Sequence, residues 1–430
     1  MFQLAGVIGP TVGGFVIAAS IPAAYALAAC SSLLFAFLLA RIPEAAGVAD
    51  NSQGPRLCRL GCVTSALWAR FTRMSDTRYR AAIIGLGFIG GADQVSGDAL
   101  GQRVEDLDGT HVMSLRHHDR VDLVGGSSRD EGRRQRFHTR FGVPVFADWR
   151  RLLRDAAPLD IVNVATYTSV HAEITHAALA AGARVIYCEK PIASTVDEAR
   201  GMIEASRAAG ALLVINHNIR FHPSFRRLRD LIAAGDLGTL TSASAQWSTG
   251  RLGNVGTHMI DAVQMVTGLP VTGVSGTLDL SGRPDCRGEE FHDPGGWGVL
   301  RLRRDLPHSS EAPAGDLHCV VDAADYGATP MRLRFHGTGG YAICRGREVI
   351  VTRGEHSEIW PNEFPDSGMD RAVDEAVHWL DGGGDFPYDA GEAVRTLEAI
   401  IAFHLSHDRG GARTEVPLTG ADRSRVLHTG

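Results

Sequence analysis

The stretch Arg80–Gly90, Arg-Ala-Ala-Ile-Ile-Gly-Leu-Gly-Phe-Ile-Gly, constrains the fold more than any other part of the 430-residue chain. Ala81 to Ile84 form a short apolar run that ends abruptly in glycines, the pattern of a buried parallel strand turning sharply into a helix. Gly85 permits the turn, Gly87 lets the backbone approach a diphosphate, and Gly90 allows close helix packing, with Phe88 and Ile89 inside the same loop. A diphosphate there would meet the free N–H groups and the positive dipole end of the helix, so a dinucleotide is the expected ligand. Glycine makes up 50 of the 430 residues, so the spacing takes its meaning from the strand in front of it.

With 44% hydrophobic and 21% charged residues, the chain can bury a large core and should form two or three domains. A net charge of -6 and a pI near 6.3 argue against a nucleic-acid surface, and no basic run stands beside aromatics. A small-molecule partner is expected instead. The seven cysteines (30, 58, 62, 188, 286, 319 and 344) are odd in number and scattered, which reads as reduced thiols and no metal site.

Met1 to Ala40 contains no Asp, Glu, Lys or Arg, and Pro22 divides it into apolar runs from Leu4 to Ser20 and from Ala23 to Ala40. Each could nearly span a bilayer. Leu27-Ala28-Ala29-Cys30 mimics a lipoprotein cleavage box, but no basic segment precedes the apolar stretch and the stretch is too long for a signal peptide. Ala5-x-x-x-Gly9-Pro10-x-x-Gly13-Gly14 resembles the fifth-helix motif of major-facilitator exporters. Two such helices cannot make a transporter, so the readings are a hairpin anchor, a fused remnant or a misplaced start codon. Arg41, Arg56, Arg59, Arg70 and Arg73 would place everything downstream in the cytoplasm if the hairpin inserts. The expected divisions are the hairpin (1–43), a linker (44–77), a dinucleotide domain (78–195) and an α+β substrate-binding and oligomerisation domain (196–430).

Glycines 91, 97, 101 and 109 interrupt the first helix of the dinucleotide domain, and a helical pattern resumes over Thr110–His118. Strands follow at Val121–Gly126, Asp160–Ala165 and Arg184–Cys188, with a helix over Val170–Ala181, which predicts a doubly wound parallel sheet. The end of the second strand reads Ser127-Ser128-Arg129. With no carboxylate there to accept a ribose hydroxyl and repel a phosphate, Ser128 and Arg129 suit a 2′-phosphate, so NADP(H) is preferred and NAD(H) remains open. The alternative is an exposed serine and a solvated arginine. The fourth strand ends in Ala165-Thr166-Tyr167 and the fifth in Glu189-Lys190-Pro191, both at the edge where such sheets bind ligands. Near a cationic nicotinamide ring Lys190 would have its pKa lowered, suiting it to exchange a proton with an alcohol.

These segments, together with Asn216-x-x-x-Arg220-Phe221-x-Pro223, resemble the Gfo/Idh/MocA oxidoreductases over about residues 78–425. The resemblance implies roles for Lys190 in catalysis and cofactor binding, for Thr166, Tyr167, His171 and Glu189 in the cofactor site, and for Arg220 at the substrate. A further motif, Gly253-Asn254-Val255-Gly256-Thr257-His258-Met259-Ile260-Asp261, places Asn254 and His258 on one helix face, aimed at the nicotinamide end. His258 can share a substrate proton with Lys190, and both it and Asn254 would touch substrate. Asn254 stands where the family commonly has Asp, and an amide cannot act as a base. Asp261 reads as a structural hydrogen-bonding group.

Beyond Ala193, a helix over Val196–Ala209 and a strand over Leu212–Ile215 close the first unit, and Ser224–Ala234 is an amphipathic helix. Thr239–Ser248, Trp297–Arg303, His318–Ala323, Met331–His336 and Tyr341–Cys344 then alternate as antiparallel strands of one open sheet. Arg304–Gly315 reads as a polar loop, with helices over Asp370–Leu380 and Gly391–Leu405. The resemblance implies that this sheet carries the substrate floor and a homo-oligomer interface. The function expected is hydride transfer between NADP(H) and a ring carbon of a sugar, sugar derivative or cyclitol, interconverting alcohol and ketone. A catalytically inactive dinucleotide sensor and a membrane component built on the hairpin are the alternatives.

Overall fold

Ala81, Ala82, Ile83 and Ile84 are at most 1% exposed, and the strand that contains them, β1 (Tyr79–Ile84), lies inside a sheet covered on both faces. The computed structural model describes residues 77–99, 109–281, 291–303, 315–324, 331–346, 348–361 and 365–429. The expected hairpin, the linker apart from its last residue, the loop 304–314 and Cys30, Cys58, Cys62 and Cys286 lie outside them. Cys188, Cys319 and Cys344 are buried free thiols.

After the glycine turn the chain forms α1 (Phe88–Gly91), α2 (Gln94–Ala99) and α3 (His111–His117). The break between α1 and α2 falls at Ala92, which is left-handed with φ +52°, and at Asp93. The buried Asp93 carboxylate accepts from Arg136 at 2.7 and 2.9 Å, so an arginine pinned from the next helix stabilises the interruption.

The rest of this domain is β2 (Val121–Ser127), α4 (Glu131–Phe141), β3 (Val145–Phe146), α5 (Trp149–Asp155), β4 (Ile161–Val164), α6 (His171–Ala180), β5 (Val185–Cys188), α7 (Val196–Ala208) and β6 (Leu212–Ile215). The six strands are parallel in the order β3-β2-β1-β4-β5-β6. The order reverses between β1 and β4, which opens a crevice beyond their carboxyl ends. Because β6 pairs with β5, the parallel sheet extends past the boundary expected at 195/196.

Helix α8 (Pro223–Ala233) leads to β7 (Leu240–Gln246) and α9 (Thr257–Thr267). Seven strands follow: β8 (Val271–Asp279), β9 (Gly295–Leu302), β10 (Leu317–Asp322), β11 (Arg332–Gly337), β12 (Gly340–Arg345), β13 (Glu348–Arg353) and β14 (His356–Pro361). Helices α10 (Gly368–Leu380) and α11 (Gly391–Asp408) and the short β15 (Thr414–Glu415) complete the described chain. The nine strands run β14-β13-β12-β11-β7-β10-β9-β8-β15, antiparallel except for the β7–β10 pair. Five of them match the alternating stretches of the sequence, whereas β8, β13, β14 and β15 do not appear among them. In β8, Gly276 reads as a turn residue, yet it forms a slot with Gly298 of β9. A Cβ on either would come within 2.4 or 2.6 Å of the Phe403 ring, so α11 packs through that slot. Among the described residues, no helix is long and apolar enough to cross a membrane.

Candidate active site

The glycine turn sits at the β1/β4 reversal. Gly85 has φ +105°, and a Cβ there would lie 2.1 Å from the Ala165 carbonyl oxygen, so glycine is required on both counts. At Gly90 a Cβ would meet the Gly85 carbonyl at 1.9 Å, so α1 can fold back only without one. Gly87 differs: the nearest atom to its added Cβ is the Arg133 guanidinium, 4.0 Å away. This open cradle, with a cation at its rim, fits the diphosphate of a dinucleotide.

The loop after β2 is built around arginines. Gly85 N–H donates to the Ser127 carbonyl, and Arg134 donates to the carbonyls of Ser128 and Arg129 at 2.7 and 2.8 Å. Asp130 caps α4 by accepting from Arg133 N–H at 2.7 Å. Arg134 thus holds the loop while the Arg129 side chain stays exposed. Sequence reading passed over Arg133 and Arg134. Their signal was the run of arginines following the capping aspartate.

At the end of β4, Thr166 Oγ1 is buried without a hydrogen-bond partner, which leaves it free to bond a ligand. Tyr167 is 40% exposed and packs against Phe291, ring centres 5.0 Å apart. His171 is buried at the start of α6, its nitrogens 3.0 and 3.1 Å from the carbonyl oxygens of Pro191 and Thr166. It ties the ends of β4 and β5 together from behind. Burial lowers its pKa, so the neutral ring can donate to one of these carbonyls at a time.

Glu189 and Lys190, adjacent at the end of β5, point to different neighbours. The Glu189 carboxylate faces inward, 3.1 Å from His111 Nε2 and 2.5 Å from Asn216 Nδ2. Burial pushes its pKa up, but His111, the Lys190 cation and Asn216 outweigh that and hold it at about 2. Lys190 Nζ instead crosses to the second domain and donates to Asn254 Oδ1 at 2.6 Å and to the Asn254 carbonyl at 3.0 Å. Of the 43 lysine and arginine residues, 42 are arginine and Lys190 is the only lysine in the chain. Arginine stays protonated in proteins, so a chain that uses it everywhere else has its one readily deprotonated cation at this crevice.

Asn254 lies in a π-helical turn, Leu252–Gly256, that runs directly into α9. One turn on, His258 is half-buried, its Nδ1 enclosed without a partner and its ring edge-on to His217 at 6.0 Å. Burial pushes the His258 pKa well below its ordinary value, and the Lys190 cation and His217 push it further. It is neutral at neutral pH. His217 is likewise held neutral, chiefly by burial, and sits 2.9 Å from Thr257 Oγ1.

Arg220, expected at the substrate, is instead 5% exposed and bonded to Asp261 at 2.7 and 2.8 Å, with Glu392 a further 2.8 Å away. Its donors are taken up in locking α9 to α11, and Asp261 has the structural part expected of it. The structure therefore brings Lys190, Asn254 and His258 together beside the glycine crevice. It turns Glu189, His171 and Arg220 into the supporting framework.

Residues 79–217 match the family model described as oxidoreductase family, NAD-binding Rossmann fold (GFO_IDH_MocA). Among curated relatives, the chain is 45% identical over 80 residues to 1,5-anhydro-D-fructose reductase of Ensifer adhaerens, covering 19% of this chain and 24% of the relative. It is 29% identical over 174 residues to D-apiose dehydrogenase of Paraburkholderia graminis, covering 39% and 40%. The chain thus spans between a quarter and two fifths of the length of these two relatives. The solved structure of an oxidoreductase from Sinorhizobium meliloti shares the fold with a TM-score of 0.63 at 21% identity, over 79% of this chain and 99% of that one. Over residues 79–217 the chain is thus similar to the NAD-binding Rossmann domain of that oxidoreductase family.

Proposed function

We propose that the chain is an NAD(P)-dependent oxidoreductase that interconverts a hydroxyl and a carbonyl on a sugar, sugar derivative or cyclitol. One observation carries this reading. The only lysine of the chain stands at the carboxyl end of β5, beside the glycine crevice, and reaches across to the turn that leads into His258. The relatives named as a reductase of anhydrofructose and a dehydrogenase of apiose support the substrate class.

A bound nicotinamide dinucleotide supplies the hydride acceptor or donor. The open backbone at Gly87, the Arg133 guanidinium and the unpaired Thr166 hydroxyl would hold it. In oxidation, the Lys190 amine takes the hydroxyl proton as the hydride leaves the carbon, and becomes an ammonium. In reduction it returns that proton to the carbonyl oxygen. Neutral His258 offers Nδ1 to the same oxygen or its proton, and Asn254 orients Lys190 without itself taking a proton. Arg129 supports a preference for NADP(H), because its guanidinium lies exposed beyond β2 where a 2′-phosphate would stand. The full chain incubated with NADP+ and a panel of polyols, aldoses and cyclitols should generate reduced nicotinamide absorbance. Dinucleotide binding with no turnover on any of them overturns the proposal.

A further inference from the structure

Lys190 follows β5 and Asn254 lies in the turn before α9, 64 residues on, so something must fix the turn Leu252–Gly256 closely enough for a 2.6 Å hydrogen bond to form between them. The turn is an irregular one. It enters through Gly250 and Arg251, both left-handed (φ +60° and +61°), and has no side-chain cap of its own.

The missing acceptor comes from far along the chain. Asp293 Oδ1 accepts from Gly253 N–H at 2.6 Å, and Asp293 Oδ2 accepts from Asn254 N–H at 2.8 Å and from the Thr429 hydroxyl at 3.0 Å. Asp293 is 8% exposed and Thr429 3% exposed, so all three bonds are sheltered from water. Gly253 is hemmed in by the same two residues: a Cβ there would lie 3.0 Å from Thr429 and 3.1 Å from Asp293 Oδ1.

The backbone continues the seam. Leu252 N–H donates to the Pro294 carbonyl at 3.0 Å, and His292 N–H to the His428 carbonyl at 2.7 Å. Leu427 N–H donates to the Ser194 carbonyl at 2.8 Å, four residues after Lys190. The chain's last described residues therefore touch both the loop that carries Lys190 and the carboxylate that carries Asn254.

We infer that Asp293 is the positioning residue for Lys190, clamping the 253–254 backbone so that both oxygens of Asn254 face Nζ, with Thr429 completing the clamp from the C-terminal segment. The inference rests on the reading of Lys190 as the proton-transfer group. A carboxylate suits the place because one side chain must accept three hydrogen bonds and donate none. Asparagine there would offer a single oxygen and turn an NH2 group toward an N–H.

Because Lys190 is the only lysine, the test needs no substrate. Lys190 and the α-amino group are the chain's only aliphatic amines, so after hydroxylamine strips acyl groups from tyrosine and cysteine only these two keep the acetyl group from acetic anhydride, and peptide mass spectrometry gives the ratio of the two rates, with the α-amino group as internal standard. In the full chain, Asp293→Asn should release Nζ and raise the Lys190 ratio by about tenfold, the equivalent of one pKa unit. Thr429→Val, which keeps the shape and removes one donor, should raise it by about threefold, and Thr429→Ser should restore it. Once a substrate is in hand, kcat should fall in Asp293→Asn while dinucleotide affinity holds. Ratios unchanged in Asp293→Asn and Thr429→Val, with far-ultraviolet dichroism unaltered, would overturn the inference. Should Asp293→Asn not fold, the Thr429 pair decides alone. A shifted ratio in a chain whose unmutated form oxidises no polyol would leave the clamp standing and remove the redox reading.

Discussion

Lys190 Nζ bonds to Asn254 through both its side-chain oxygen, at 2.6 Å, and its carbonyl, at 3.0 Å, so the cation is held by dipoles with no carboxylate in that bond. At that contact a carboxylate would favour the ammonium form more strongly than the amide does. Lys190→Ala should lower turnover by about two to four orders of magnitude, the usual worth of general acid–base catalysis. Lys190→Arg should do no better, although it keeps the charge, because guanidinium does not give up a proton in this pH range. Steady-state kinetics beside dinucleotide titration separates lost proton transfer from lost binding, and substantial turnover in Lys190→Arg would remove the lysine from the proton path.

Asn254→Asp tests the same contact in the opposite sense. In the structure the Asn254 side chain accepts from Lys190, so a charge at 254 would act first on the lysine. A carboxylate within hydrogen-bonding distance should raise the lysine pKa, and the alkaline rise of the kcat profile should move up by about one to three units. At neutral pH the variant should be slower in oxidation. A profile that stays in place would mean that Lys190 is not the titrating group.

How much of this was legible beforehand follows from how local each signal is. The glycine turn and five of the six strands of the first sheet lie in short segments whose spacing reports their geometry, whereas β3, only Val145–Phe146, is too short to leave a pattern, and Lys190 meets Asn254 across 64 residues. Glu189, His171 and Arg220 carried the right motif and turned out to be framework, because a motif names a position and not the direction of its side chain. The partners that decide direction, His111 for Glu189 and Asp261 for Arg220, lie 78 and 41 residues away. Asp293 sits 39 residues from Asn254 and could not be read at all. Strand β8 was hidden by glycines that look like turns until Phe403, more than 100 residues later, fills the slot they leave.

The exposed guanidinium of Arg129 predicts the cofactor choice. Calorimetry should show NADP(H) binding more tightly than NAD(H) by roughly the 1.5 to 3 kcal/mol of a charged hydrogen bond, and Arg129→Ala should abolish the difference. Equal affinities in the unmutated chain would overturn the assignment, leaving Arg133 as the cation at the diphosphate.

On the open face of the second sheet, Trp297 is 45%, Val299 36% and Val320 53% exposed, and Val299 and Val320 are paired across β9 and β10. A second copy of the chain covering this apolar group is expected, since contiguous exposed patches of this kind mark interaction surfaces. Val320→Glu should shift the species seen by light scattering toward monomer without unfolding it. A chain that is monomeric before mutation at micromolar concentration would remove the reading.

The buried Glu189 gives a pH signature with a definite sign. Its folded pKa of about 2 lies below the ordinary 4.5, so the unfolded chain binds the proton more readily. The stabilisation is fully present above about pH 4.5 and is lost as pH falls through the folded value, and it amounts to about 3 kcal/mol at most. In Glu189→Gln this slope should disappear, because an amide does not titrate. The variant should also be less stable at pH 7, where His111 and Asn216 lose a charged partner. Urea midpoints measured from pH 7 down to pH 2.5 in both proteins would decide it. Parallel curves, offset but equally steep between pH 4.5 and 2.5, would show that other carboxylates carry the acid sensitivity and that Glu189 merely fills space beside His111.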